Sequence, residues 1–98
     1  MRVTVGRSAR RLIEDAGGIL TIEARAKTGG CLIKTHLVAC VGKPPEPALF
    51  EEIEARGVRI FTRGVLERPD GSMLPTRGAL PGKVRIRESG GKVMAEAG

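Results

Sequence analysis

Two segments of alternating polarity, joined by a short glycine-containing turn, constrain this chain more than any other feature. In residues 19–26, positions 20, 22, 24 and 26 are apolar, whereas positions 21, 23 and 25 are polar. In residues 31–41, the odd positions form a mostly apolar face and the even positions form a mixed one. Because successive side chains of a strand point to opposite faces, both segments are predicted strands. The turn residues 27–30 predict that they pair as a hairpin.

A short helix is predicted ahead of this hairpin. Residues 2–5 alternate and predict a brief opening strand, after which Ser8 is the predicted N-cap. Apolar residues then follow at spacings of three and four positions, which is typical of one helical face. Gly17-Gly18 predicts the C-cap. A helix of about two turns is unstable alone, so we expect it to pack on the sheet.

The second half of the chain predicts short strands separated by turns. Residues 58–62 read as a strand, as do residues 83–87, in which Val84 and Ile86 alternate with cations. Pro69-Asp70-Gly71 predicts a tight turn between them. The sequence pattern does not decide the secondary structure of residues 48–56, which suit either a helix or a strand that forms a hairpin with residues 58–62.

Together these elements predict one α+β domain that is rich in β-structure. One short N-terminal helix would pack on short, mostly antiparallel strands. We expect the domain to occupy residues 1–90 and residues 91–98 to form a flexible tail. The N-terminal residues lack the long apolar run of a signal peptide, and no segment is long enough to span a membrane. These features predict a cytoplasmic protein whose two cysteines stay reduced.

The charge distribution allows a nucleic-acid-binding function but does not favour it. The 98-residue chain has a formal net charge of +6, but its cations are interleaved with glutamates. Its only aromatic residues are Phe50 and Phe61, which leaves little surface for base stacking. An ordinary charged surface therefore explains the composition better than a nucleic-acid footprint. The alternative nucleic-acid face would consist of four arginines on alternating strands: Arg59, Arg63, Arg85 and Arg87.

The soft metal ligands concentrate in one segment, which holds Cys31, His36 and Cys40. Cys31 follows two glycines and suits a thiolate that binds metal or reacts, although a buried apolar-face cysteine is the competing interpretation. Nine residues of extended chain would separate the two cysteines by roughly 30 Å. His36 shares a face with Cys40 at a distance of roughly 13 Å along a strand. One ion could join these residues only if the strand bends, so a metal site would most naturally form across a homodimer. No catalytic constellation is evident in the sequence.

The order of these elements resembles the HesB-like fold of A-type iron–sulfur carriers. The likeness rests on a small helix ending in Gly17-Gly18, on the glycine-led Gly29-Gly30-Cys31, and on a block from Leu49-Phe50-Glu51 through Gly57-Val58-Arg59-Ile60-Phe61 to Leu74. It is strongest to small HesB-like (seleno)proteins with a CC/Se motif and unassigned function, which also share Gly42-Lys43-Pro44.

The resemblance implies a hairpin over residues 48–62 and a non-enzymatic, carrier-like protein that binds a metal or an iron–sulfur cluster through Cys31. It also implies an iron–sulfur assembly protein or a thiol protein as partner. A-type carriers have a Cys-x-Cys pair near the C-terminus, whereas residues 81–91 of this chain contain no cysteine. Members of the CC/Se branch have two adjacent cysteines or a cysteine beside a selenocysteine, whereas Cys31 has no adjacent cysteine. Two alternatives remain: a thiol redox protein with Cys31 as nucleophile, and an arginine-based nucleic-acid-binding module.

Overall fold

The computed structural model describes residues 1–29 and 32–98, over which the chain forms a β-rich domain with one short helix. This coarse fold class agrees with the prediction. The helix is too short to cross a bilayer, and no other helix of the described residues approaches the length and apolarity of a membrane span. The elements in chain order are β1 (Arg2–Val5), α1 (Arg7–Asp15), β2 (Ile19–Gly29), β3 (Leu32–Val41), β4 (Glu51–Ala55), β5 (Val58–Glu67), β6 (Met73–Pro75), β7 (Lys83–Ser89) and β8 (Lys92–Ala97).

The strands form two sheets. The larger sheet has the order β3-β2-β5-β4, and β6 also pairs with β5. The smaller sheet has the order β1-β7-β8. Most strand pairs are antiparallel, as predicted, but β2 pairs with β5 and β1 pairs with β7 in parallel. The parallel β2–β5 pair lies at the centre of the larger sheet and brings residues 19–27 alongside residues 59–67.

One hydrophobic cluster joins the two sheets and the helix. It includes Ile13 of α1, Ile22 of β2, Ile60 of β5 and Ile86 of β7, each at most 1% exposed. Full burial of such a side chain stabilises the fold by about 1.5–3 kcal/mol. Because both sheets direct alternate residues into this cluster, the intervening residues of each sheet lie on its outward face.

The helix begins two residues earlier than predicted. Gly6, not Ser8, occupies the N-cap position, and its carbonyl accepts a hydrogen bond from the Arg10 amide at 2.9 Å. Ser8 therefore lies within the first helical turn, and its prediction as N-cap is wrong. The predicted C-terminal end is confirmed, since Gly17 has a φ of 112° and the Gly18 amide donates to the Ile13 carbonyl at 2.8 Å.

The predicted hairpin is present as the antiparallel β2–β3 pair. The alternation is confirmed, since Leu20, Ile22 and Ala24 are buried. However, β2 continues to Gly29, three residues beyond the predicted end, and pairs there with Leu32. Residues 30 and 31, which include Cys31, lie outside the described residues.

Within residues 48–56, which suit either a helix or a strand by sequence, Glu51–Ala55 form a strand. A single 3-10 turn at Pro47–Leu49 precedes β4, which pairs in antiparallel fashion with β5. Arg56 and Gly57 make the connection with φ values of 52° and 78°. The implied hairpin is confirmed. Ile53 and Ala55 pack against the core, so two-residue periodicity explains this segment better than helix propensity does.

The C-terminal residues differ from the predicted flexible tail. Residues 92–97 form β8, which pairs along β7 from Ser89↔Lys92 to Val84↔Ala97. Gly90 and Gly91 have φ values of 59° and 81° and form the two-residue hairpin turn that joins these strands. Val93 packs against the core, so β8 contributes to the packed domain.

Candidate functional site: a groove on the outward face of the larger sheet

An open groove of about 310 Å³ lies on the outward face of the five-stranded sheet. We call it the outer groove. Its floor consists of outward-facing residues of β2, β3 and β5, and its wall is the segment that leads from β3 towards β4. The floor residues are Thr21, Glu23, Arg25, Val38, Cys40 and Arg63, and the wall residues are 41–46 with Leu49 and Phe50.

Backbone and side-chain hydrogen bonds hold the wall of the outer groove in place. The Thr21 hydroxyl donates to the Gly42 carbonyl at 2.8 Å, and the Gly42 amide donates to the Ile19 carbonyl at 2.7 Å. Gly42 has a φ of 104°, which a side chain would disfavour. Pro44, which follows in the Gly42-Lys43-Pro44 sequence, is buried. The groove is therefore built into the fold instead of depending on a freely moving loop.

A buried carboxylate held by two arginines forms the polar centre of the groove. Glu23 is 8% exposed. Its Oε1 accepts from Arg25 Nε at 2.5 Å, and its Oε2 accepts from Arg63 Nε at 2.7 Å. Burial tends to raise the pKa of Glu23, but the hydrogen bonds and positive charges of Arg63 and Arg25 outweigh burial and lower it below its ordinary value. Glu23 is therefore ionised at neutral pH.

Arg63 is also fixed by an aromatic contact. Its guanidinium carbon lies 4.8 Å from the centroid of the Phe50 ring, within the range of a cation–π interaction. The Glu23 carboxylate and the Phe50 ring together restrict the Arg63 side chain, which nevertheless remains 24% exposed. Part of the Arg63 side chain is thus open to the groove that it lines.

The predicted metal ligands do not converge in the part of the chain that the structure describes. Cys40 is an exposed free thiol in the groove, and His36 is exposed on the same face of β3. Because β3 runs unbroken from Leu32 to Val41, these two side chains are roughly 13 Å apart. Among the described residues, no group of three or more cysteine, histidine or acidic side chains could hold a metal. Cys31 lies outside the described residues.

The four predicted nucleic-acid-binding arginines lie on two different sheets. Arg59 and Arg63 project from β5, and Arg85 and Arg87 project from β7. Each is close to a glutamate: Arg59 donates to Glu52 at 2.6 Å, while Arg85 and Arg87 lie 3.9 and 3.3 Å from the Glu96 carboxylate. The structure therefore divides these arginines between separate outward faces.

Sequence reasoning did not find the outer groove. The alternation of β2 places Glu23 and Arg25 on one polar face, but that pattern is typical of any solvent-exposed strand. Arg63 is forty residues away from Glu23 and reaches it only because β2 and β5 pair in parallel with residues 23 and 63 in register. Local periodicity contains no signal for such a pairing.

Comparison with known proteins supports one assignment. The family model described as "CC/Se motif containing family" matches residues 1–81. The matched region includes Cys31 and every residue that lines the outer groove. No curated protein and no solved structure shows significant similarity to the chain.

Proposed function

The chain belongs to the CC/Se motif containing family, and we propose that it is a small, non-enzymatic carrier-like protein that binds a metal ion or an iron–sulfur species through Cys31. The observation that carries this proposal is the match of that family over residues 1–81, a region that includes Cys31, although Leu32 and not a second cysteine follows Cys31. The order of helix, Gly-Gly, hairpin and second hairpin supports a relationship to HesB-like carriers. We propose that the protein works in the cytoplasm, where its thiols stay reduced.

The proposed ligand set requires more than one chain. A thiolate is a strong ligand for soft metals, but Cys40 is separated from Leu32, the neighbour of Cys31, by nearly the whole length of β3. A second copy of the chain would therefore supply the second Cys31, and other groups would complete the coordination. An incomplete protein ligand set favours release to an iron–sulfur assembly protein or a thiol protein, which suits a carrier.

Anaerobic reconstitution with iron and sulfide tests this proposal. We expect the wild-type protein to develop a visible chromophore with one cluster or ion for every two chains, and light scattering to show a dimer at the same stoichiometry. Cys40→Ser should behave like the wild type, because Cys40 lies at the far end of β3. Absence of chromophore and of bound metal in the wild type would overturn the proposal.

A thiol redox function is the second candidate. A nucleophile requires only one thiol, so this function needs no second protein ligand beside Cys31. In this case Cys31 would have a lowered pKa and would react as a thiolate. The rate of Cys31 alkylation in Cys40→Ser, measured against pH, tests the idea. A rate no faster than that of a model thiol at neutral pH would contradict it.

A nucleic-acid-binding function has weaker support. The candidate arginines are paired with glutamates and divided between two sheets, so they do not form one continuous basic surface. Binding to a duplex should then be weak, and should fall with salt concentration if phosphate contacts drive it. Tight, salt-dependent binding of a duplex that is lost in Arg85→Gln and Arg87→Gln would support a nucleic-acid-binding function.

A further inference from the structure

We propose that the outer groove binds a small organic monocarboxylate, with the carboxylate at Arg25 and Arg63 and a compact apolar body along the groove wall. This inference does not depend on Cys31 or on metal binding. It rests on the charge, the lining and the rigidity of the groove.

Arg25 and Arg63 each have N–H donors that the hydrogen bond to Glu23 does not use. Among the described residues, the side-chain hydrogen bond of each guanidinium is the Nε bond to Glu23. A guanidinium has five N–H donors arranged in a planar fork, which matches the two oxygens of a carboxylate. Arg25 and Arg63 are 35% and 24% exposed, so their remaining donors are within reach of a ligand that enters the groove.

The net charge of the site favours a single negative charge. The ionisable lining residues other than Cys40 comprise three cations (Arg25, Arg63 and Lys43) and two carboxylates (Glu23 and Glu46). The site thus has a net charge of +1, which a monocarboxylate would neutralise. A dianionic phosphate would leave the site with a net charge of −1, and the ionised Glu23 carboxylate between the two arginines would repel it more strongly than it repels a ligand with one negative charge.

The remainder of the lining favours an apolar ligand body. Val38 lies in the floor, and Pro44, Pro45, Leu49 and Phe50 lie in the wall. The volume of about 310 Å³ is at the lower end of the range for small-molecule sites. Since a water molecule takes about 30 Å³ in the liquid, the groove suits a ligand of about ten non-hydrogen atoms.

The groove is also preorganised for binding. Its wall is fixed by the Thr21–Gly42 hydrogen bond, and Arg63 is held by Glu23 and Phe50. A ligand would therefore lose little affinity to the ordering of side chains. Cys40 lies at the floor of the groove and provides a built-in reporter of occupancy.

Octanoate and octanamide, matched in size but not in charge, test the proposal. Titrations would use Cys31→Ser, so that failure of this site is distinct from failure of metal binding. We expect one octanoate per chain and an affinity for octanamide that is weaker by about tenfold or more. Arg63→Gln should weaken octanoate binding by a similar factor. Arg10→Gln, which removes an exposed arginine on α1, should leave binding unchanged.

Two further measurements keep the test decisive if Arg63→Gln unfolds. Leu49 is 54% exposed, so Leu49→Asp should fold normally and weaken octanoate binding by adding a negative charge to the wall. Octanoate, but not octanamide at equal concentration, should slow alkylation of Cys40. Equal binding of octanoate and octanamide, or no protection of Cys40 at millimolar octanoate, would overturn the proposal.

Discussion

Glu23 of β2 and Arg63 of β5 are register partners in a parallel strand pair, and Arg63 Nε donates to Glu23 Oε2 at 2.7 Å. The other carboxylate oxygen accepts from Arg25, so both oxygens of this buried group are hydrogen-bonded. Removal of one partner from such a cluster leaves charges in a partly desolvated site without compensation. The Glu23–Arg63 ion pair therefore joins β2 to β5, and it also fixes two of the charged side chains that line the outer groove.

The first prediction concerns Glu23→Gln. We expect it to lower the free energy of unfolding by about 1–3 kcal/mol at pH 7, because two adjacent arginines lose their common carboxylate. The pKa of Glu23 is lower in the folded protein than its ordinary value of 4.5. Its stabilising effect should thus be complete above pH 4.5 and disappear as the pH falls through the lowered pKa.

Denaturant unfolding of the wild type and Glu23→Gln at several pH values measures this effect. The difference between the two proteins isolates Glu23 from other carboxylates with lowered pKa values, such as Asp70. Glu14→Gln is the control, since Glu14 forms an exposed pair with Arg10 and should change stability little. A difference that stays constant from pH 7 to pH 2 would contradict the role assigned to Glu23.

The second prediction concerns Gly64 in β5. A Cβ at this position would lie 2.1 Å from the Thr76 carbonyl oxygen, which belongs to the backbone and cannot move alone. Gly64→Ala should therefore destabilise the protein by about 1–3 kcal/mol or more. Gly82→Ala is the matched control, because a Cβ at Gly82 meets no atom within 4 Å. Equal melting temperatures of the two variants would show that the Thr76 segment does not pack against β5 as described.

The third prediction tests the C-terminal strand. Val93→Asp should destabilise the protein by about 2 kcal/mol or more, because Val93 packs against the core and an aspartate there would be partly desolvated. Met94 is 47% exposed, so Met94→Asp should be nearly neutral. Thermal unfolding distinguishes the two. A flexible tail would instead make both substitutions equally harmless.

The fourth prediction concerns the two cysteines. Leu32 and Cys40 are eight strand positions apart on β3, a distance of roughly 26 Å, and Cys31 directly precedes Leu32. A disulfide requires Cα atoms within about 7 Å. Mild oxidation should therefore produce disulfide-linked dimers and no intrachain bridge.

Non-reducing electrophoresis and intact mass reveal which disulfide forms. Cys31→Ser and Cys40→Ser should each still form a dimer through the remaining thiol. A monomer that has lost two hydrogens on oxidation would mean that β3 breaks or bends in solution.

The elements that the sequence predicted correctly are those with a strong local period. The alternation of residues 20–26 predicts a buried face, and all four of its apolar residues are buried in the structure. The i, i+3, i+4 spacing of the helix is confirmed in part, since Ala9 and Ile13 are buried, whereas Leu12 is half-buried and Ala16 is exposed. Residues 92–97 were missed because Val93 and Ala95 form only a weak apolar alternation after two glycines. A flexible tail that starts at residue 91 places the end of the ordered chain at Gly90-Gly91, although this dipeptide makes a tight hairpin turn.

The outer groove could not be predicted, because its parts meet only through tertiary structure. Glu23, Cys40 and Arg63 come from three strands, and the parallel pairing of β2 with β5 depends on how both sheets cover the core. The prediction that Cys40 and His36 lie apart on one face follows directly from strand periodicity, and the structure agrees with it. The role of Cys31 remains a proposal.

The most direct test of the proposed function is the metal content per chain after anaerobic reconstitution of Cys31→Ser beside Cys40→Ser. If Cys31 is the binding thiol, Cys40→Ser will retain the iron and sulfide content of the wild type, and Cys31→Ser will retain none. Equal metal content in the two variants, or loss in Cys40→Ser alone, would contradict the assignment of binding to Cys31.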